Sequence, residues 1–480
     1  FQLQRRKPNA ETARSFGPSN GGPPIETEAR RAAMASAADT ISHLPEDVLH
    51  HILSLLPAHD AVRTCVLFQS WRHLWRSAPG LRFVGSNGWA GGFTAFANFV
   101  DAQIRIPSGT PLRSCDFDLH LDGAATVSDL EAMEWRGAGW LILALHSLEV
   151  RELRFHVWNP APLRLRLPHL RLISERLTRL EFCGVKGNPS VLDFTFCSAL
   201  VALKMCNCEV LSVKIHSPTL KHLTMSSCVF FGKCRTRMTL PSLVSFGFVS
   251  NRGSVPLLDR MPLATATIRI FEYFSDDKTM HGHLDECADD ACVACRHKYC
   301  DPDDYHCMFL KGLKEATTLN LSVYPGLLYV FNKDLERCLT FSKLKILVLD
   351  VMFMSSGQGE LIWFLHHAPQ LEKLTLNFSK LHNDLMTMTG SCMRLKKSNG
   401  ARNLHVVEII CEKVDLRVLK SLEVLNTIGI TQQKIKIQCS GAAVTASMKH
   451  DEEADPKRVL CGHTPHACII AADSLSTAAA

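Results

Sequence analysis

A six-residue pattern of the form L-x-x-L-x-L, with Phe, Met or Val standing in for some leucines, returns seven times along the chain. It falls at Val150/Leu153/Phe155, Leu177/Leu180/Phe182, Leu200/Leu203/Met205, Leu220/Leu223/Met225, Leu243/Phe246/Phe248, Leu344/Leu347/Leu349 and Leu371/Leu374/Leu376. The central anchors from Leu153 to Phe246 are 27, 23, 20 and 23 residues apart, and Leu347 to Leu374 is again 27. A unit this short supplies one strand whose alternate residues face inward, and it cannot bury that face by itself. Neighbouring units must therefore stack.

The period fits leucine-rich repeats, which run to roughly 20 to 29 residues. Cys208 and Cys228 occupy the Asn/Cys place that follows the strand in such repeats. The expected fold is α/β, a solenoid over 110–390 with a parallel sheet on its concave face. The residues between the leucines would line that face, and Arg179, Glu181, Lys204, Lys221, His222 and Lys373 are the candidates for holding a target protein.

A different periodicity precedes the repeats. Pro45 suits the first position of a helix, Glu46 and Asp47 complement its positive end, and Pro57 stops it. Val48, Leu49, Ile52, Leu53 and Leu56 form one apolar stripe. Asp60 is placed to cap a second helix carrying Val62, Cys65 and Val66, and Trp71, Leu74 and Trp75 repeat the spacing of a third. Three helices in about 44 residues approach the smallest core that stands alone, so surplus apolar surface points to a partner.

Leu44-Pro45-x-Asp47-x-Leu49-x-x-Ile52-Leu53-x-Leu55-Leu56-Pro57, then Asp60-Ala61-Val62-Arg63-Thr64-x-Val66-Leu67, then Trp71-Arg72-x-Leu74-Trp75, resembles the F-box of plant F-box proteins. The resemblance implies docking onto the Skp adaptor, and through it the cullin, of SCF ubiquitin ligases. Carried over position by position, the contacts would be Leu44, Pro45, Ile52, Leu53, Leu56, Val62, Leu67 and Trp71. Phe68-Gln69-Ser70 departs from the family, which usually has basic residues before the first tryptophan.

Trp140-Leu141, Val150-Arg151-Glu152-Leu153-Arg154-Phe155, Ser217-Pro218-x-Leu220 and His367-Ala368-Pro369-x-Leu371 are similar to plant F-box/leucine-rich-repeat proteins. Leu404 to Ile409, Gly429-Ile430 and Lys434 to Ile437 are similar to the FBD-type C-terminal region of that group. The expected organisation is a disordered segment at 1–39, a three-helix F-box at 40–83 and a linker at 84–109 containing Gly85, Gly88, Gly91 and Gly92. The solenoid then carries an insert at 276–307, and an FBD-like region at 391–440 and a disordered tail at 441–480 follow. The first methionine is Met34, and residues 1–33 read as added or upstream sequence. The implied function is a substrate receptor of an SCF-type ligase, with a leucine-rich scaffold or sensor that binds adaptor without degradation as the alternative.

Composition narrows the rest. A formal net charge of +6, half of it from residues 1–33, gives no support for nucleic-acid binding, and no apolar run suits a membrane span. Nineteen cysteines, an odd number scattered through apolar runs, point to a reducing compartment, cytoplasmic or nuclear, with thiols acting as small hydrophobes. The rival signal is the insert, with five cysteines and four histidines among nine acidic residues. Cys292-x-x-Cys295 has zinc-ligand spacing, with Cys287 and Cys300 as further candidates, but a second tight pair is missing. An acidic surface loop without metal is the favoured reading, and no other cofactor is expected. Neither a phosphate-binding glycine loop nor a His-Glu-x-x-His helix occurs, so the chain is expected to be non-catalytic.

Overall fold

A computed structural model describes residues 44–439, except for breaks of at most six residues and four longer ones at 271–308, 324–339, 351–358 and 379–402. The expected disordered segments at 1–39 and 441–480, the insert with its zinc candidates, and Leu67 lie outside the described residues.

The repeats generate one 13-stranded sheet, and every neighbouring pair in it is parallel. In chain order its strands are β1 (Gly80–Val84), β2 (Ser114–His120), β3 (Glu152–Trp158), β4 (Arg179–Cys183), β5 (Ala202–Cys206), β6 (His222–Ser226) and β7 (Ser245–Val249). They continue as β8 (Thr265–Ile270), β9 (Thr318–Val323), β10 (Ile346–Asp350), β11 (Lys373–Phe378), β12 (Val406–Cys411) and β13 (Ile435–Cys439). Each strand pairs with the next one in sequence. The register puts Leu153, Leu180, Leu203, Leu223, Phe246, Ala266, Leu319, Leu347 and Leu374 in one row, and Phe155, Phe182, Met205, Met225, Phe248, Ile268, Leu321, Leu349 and Leu376 in the next. All are buried in a single core.

Two devices repeat from coil to coil. Gly85, Gly184, Asn207 and Ser227 each follow a strand directly and take positive φ (73°, 69°, 52° and 53°), turning the chain away from the sheet. At Gly184 a Cβ would lie 2.0 Å from the Val157 carbonyl oxygen, so only glycine fits. Beneath these corners, the buried thiols of Cys208 and Cys228 donate to the carbonyls of Phe182 and Met205, both at 3.5 Å. Asn251 continues the series, donating to Met225 O at 3.0 Å and accepting from the Cys228 N–H at 2.7 Å. These bonds tie each corner to the strand of the preceding coil, and the Asn251 side chain satisfies the buried Cys228 N–H.

Short parallel strands at Leu165–Arg166, Val185–Gly187, Glu209–Val210, Val229–Phe230 and Arg252–Gly253 form a second ladder, and Lys214–His216, Arg237–Thr239 and Leu257–Leu258 a third. Helix α3 (Gly92–Ile104) and helix α4 (Val127–His146) cover the core beside β1 to β3. There Trp140 stacks on Phe117 at 5.8 Å and donates its indole N–H to Asp101 Oδ1 at 2.7 Å.

Three expectations change. The stretch expected as linker holds α3, whose Phe96, Ala97, Val100 and Ile104 are buried, and Gly85 is a coil corner. The stretch expected as a separate FBD-like region contributes β12 and β13 to the same sheet. Among the described residues of the F-box two α-helices form, α1 (Glu46–Leu55) and α2 (Ala58–Arg63), with short 3-10 turns at Thr64–Val66 and Leu74–Ser77 where further helix was expected. Pro57 rather than Asp60 stands at the start of α2, since its fixed φ of −54° leads directly into the turn.

Candidate functional site

Helix α1 has two apolar edges. Leu49 and Leu53 point inward; Leu53 packs with Ala61, Trp75 and Ala78, and Leu56 and Val62 lean half-buried on that cluster. Val48, Ile52 and Leu55, at i, i+4 and i+7, line the opposite edge and are 41%, 37% and 56% exposed, with Val66 nearby in sequence at 87%. A small module that leaves this much apolar surface in water has a face built to be covered. Pro45 is exposed and Leu44 half-buried.

Leu53 and Trp71, two of the expected adaptor contacts, are buried within the free module, at 2% and 6% exposed. Val48, Leu55 and Val66, which sequence reasoning did not select for contact, are exposed instead. The signal for Val48 and Leu55 was the four-plus-three spacing with Ile52.

The module joins the sheet at its first strand. Arg82 of β1 donates to the Leu55 carbonyl at 2.7 Å, Ala58 enters the main core, and the rings of His59 and Trp89 meet edge-on at 5.4 Å.

On the side of the sheet away from the core, the register aligns the other alternate residues. Arg179, His222 and Lys373 fall in one row and Glu181 and Lys204 in the next, while Lys221 precedes β6. The sheet therefore brings Arg179, Glu181, Lys204, Lys221 and His222 onto one stretch of surface, with Lys373 five strands beyond β6. Arg82, Asp116, Arg154, Glu181 and Lys204 alternate in sign across β1 to β5. Thr224, Gly247, Thr267 and Asn320 continue that row without charge across β6 to β9.

The charged stretch is internally paired. Asp116 lies 3.6 Å from Arg82 and 3.4 Å from Arg154, and Glu181 takes Lys204 at 2.6 Å, His156 at 3.3 Å and Arg154 at 3.7 Å. Burial pushes the Asp116 carboxyl up, more than Arg154 and Arg82 pull it down. At Glu181 burial also acts upward, but the Lys204 hydrogen bond and the surrounding cations hold the group below the usual range. Arg179, Lys221 and His222 are exposed and carry no ion pair among the described residues.

Sequence reasoning missed the aromatic group beside this network. Trp158 is 46% exposed, donates its indole N–H to Asp118 at 2.7 Å and stacks on His120 at 6.2 Å. These residues extend the outward alternation of β2 and β3 past the last leucine position, where the repeat pattern carries no signal. A separate cleft of about 450 Å³ lies between α4 and the second ladder, lined by Glu134, Trp135, Arg166, Leu167, Lys186, Asn188 and Leu211. Among the described residues no group of three His, Cys, Asp or Glu could hold a metal, and no helix is long and apolar enough to cross a membrane.

Residues 41–83 match the F-box domain family. Over 381 residues, 73% of this chain and 79% of the relative, the sequence is 25% identical to an FBD-associated F-box protein of Arabidopsis thaliana. It is 28% identical over 207 residues, 41% of this chain and 40% of the relative, to an F-box/LRR-repeat protein of that plant. F-box/LRR-repeat protein 25 of Arabidopsis thaliana is 46% identical over 54 residues, 11% of this chain and 21% of the relative. The matches span 40% and 34% of the first two curated relatives. The chain thus carries an F-box domain ahead of a parallel, leucine-lined sheet. Its sequence is similar to F-box/LRR-repeat and FBD-associated F-box proteins of Arabidopsis thaliana.

Proposed function

We propose that the chain is a substrate-recognition subunit of an SCF-type ubiquitin ligase. The exposed edge of α1 docks on the Skp adaptor and, through it, the cullin, while the outward face of the sheet holds a target protein. The carrying observation is the α1 edge of Val48, Ile52 and Leu55, exposed on a helix whose other edge is committed to the core. Leu44, Pro45, Leu56 and Val62 flank it, and Leu53 and Trp71 act beneath as supports. One strand per repeat in an unbroken parallel series supports reading the sheet as the inner face of a leucine-rich solenoid. Arg179, Lys221 and His222 are the side chains there most available to a target, with Glu181, Lys204 and Lys373 already in ion pairs.

The chain itself is non-catalytic in this reading. Ubiquitin transfer gains from proximity, because holding the target beside the loaded ligase turns a bimolecular encounter into an intramolecular one. The protein acts in the cytoplasm, the nucleus or both, where the ligase operates, without nucleic acid or membrane as partner.

Co-purification with the Skp adaptor tests this. Wild type is expected to retain it, and a Val48→Ala, Ile52→Ala, Leu55→Ala variant with unchanged circular dichroism is expected to lose it, since a few central apolar anchors carry most interface energy. Retention by both would remove α1 from the interface. Capture by neither would overturn the receptor reading.

A further inference from the structure

The edge of the described sheet carries two thiols in register. Cys411 ends β12 and Cys439 ends β13, and the two residues are direct pairing partners on neighbouring parallel strands. Their Sγ atoms are 3.5 Å apart. Adjacent strands lie ~4.8 Å apart, inside the ~4.4 to 6.8 Å between Cα atoms that a disulfide spans. The sulfurs need only approach by about 1.5 Å to reach the ~2.05 Å of an S–S bond, a movement within the reach of side-chain rotation. Cys439 is exposed and Cys411 is buried.

We propose that Cys411 and Cys439 form an oxidisable dithiol that closes to a cross-strand disulfide under peroxide. The Cys439 thiol, open to solvent, loses its proton and its sulfur attacks one peroxide oxygen; the O–O bond breaks, the departing hydroxide takes up that proton as one water, and Cys439 becomes a sulfenic acid. The Cys411 sulfur then attacks the Cys439 sulfur, the S–O bond breaks, and the departing hydroxide takes the Cys411 proton as a second water. Two thiols and one hydrogen peroxide yield one disulfide and two waters. Burial, together with the neighbouring Cys439, pushes the Cys411 thiol up, which makes it the less reactive of the two toward peroxide and leaves the first step to Cys439.

The link would close β12, helix α5 (Leu416–Thr427) and β13 into one loop. It would staple the edge strand, which otherwise rests on backbone pairing to β12 and on Ile435 and Ile437 leaning against the core. The other thiols serve differently. Cys208 and Cys228 are fully buried and donate to backbone carbonyls, so an oxidant does not meet them. Cys183 and Cys206 are also in register, but Cys183 is buried mid-sheet.

The full chain treated with stoichiometric hydrogen peroxide, alkylated and digested without reductant, is expected to give a Cys411–Cys439 linked peptide. Amide hydrogen exchange in β13 is expected to slow at least about tenfold on oxidation. Cys439→Ser, at an exposed site, should abolish both effects without unfolding the chain. Recovery of both cysteines unlinked, linkage at Cys183–Cys206 instead, or a link that leaves β13 exchange unchanged would overturn the proposal.

Discussion

The F-box and the sheet solve opposite problems with similar residues. In the sheet nearly every leucine and phenylalanine of the repeat is sealed, and the outward rows hold charge, threonine and asparagine. Among the described residues of the F-box, Leu53, Ala61, Trp75 and Ala78 form one small buried cluster, while Val48, Ile52, Leu55 and Val66 stand in solvent. A repeat can hide its apolar side because the next coil covers it. The F-box has no next coil, so part of its apolar surface stays in water, where the proposed adaptor would cover it.

If this contrast is right, damage to the sheet interior should cost far more than damage to the α1 edge. Phe155→Ala removes a ring packed on Phe117 at 5.6 Å, and is expected to cost about 3 to 5 kcal/mol in denaturant unfolding. A cost below 1 kcal/mol would mean that the coils are not closely packed. Asn251→Ala leaves the buried Cys228 N–H without its acceptor and removes a second donor from the Met225 carbonyl, for an expected loss of roughly 1 to 3 kcal/mol.

At the far end, Asp415 caps α5 through the N–H groups of Arg417 and Val418 at 2.9 and 3.2 Å. Asp415→Ala should cost about 1 kcal/mol. Burial pushes this carboxyl up, but its bonds to Arg417 and Val418 hold it below the usual carboxylate range. The cap therefore contributes fully above the unfolded aspartate value near ~4 and is lost as pH falls through the lower folded value. The difference between wild type and variant should shrink on acidification; a difference independent of pH would assign the effect to something other than the carboxylate. Smallest of all, Ile52→Ala with Leu55→Ala should change stability by about 0.5 kcal/mol or less, because both are exposed in the free chain. A larger loss in thermal unfolding would make that edge core rather than contact surface.

The parts of this contrast that were readable in the sequence are those where a side chain repeats its environment. Leu153 to Phe246 announce five strands because each meets the same neighbours in the coil before and after. β8 was not legible, since Ala266 stands where the pattern calls for leucine, and β1 was not, since Leu81 and Phe83 follow Pro79-Gly80 without the preceding leucine. Strands of two or three residues in the second ladder are too short to show alternation at all. On α1 the helical spacing was visible, but periodicity alone cannot assign two adjacent apolar edges to inside and outside. Leu53 against Ile52 was settled only by where Trp75 and Ala61 lie.

The sheet's strict one-strand step also makes it a ruler. Because β1 receives the Arg82 contact to the F-box and each later strand is displaced by ~4.8 Å, a ligand seated on β5 sits roughly 19 Å along the ladder from β1, and one on β11 roughly 48 Å. Gain or loss of a whole coil would shift everything beyond it by one graduation while leaving the turns on either side intact. In such an architecture the position of a bound partner is set by counting coils, and distance from the F-box becomes a quantity that repeat number alone can tune.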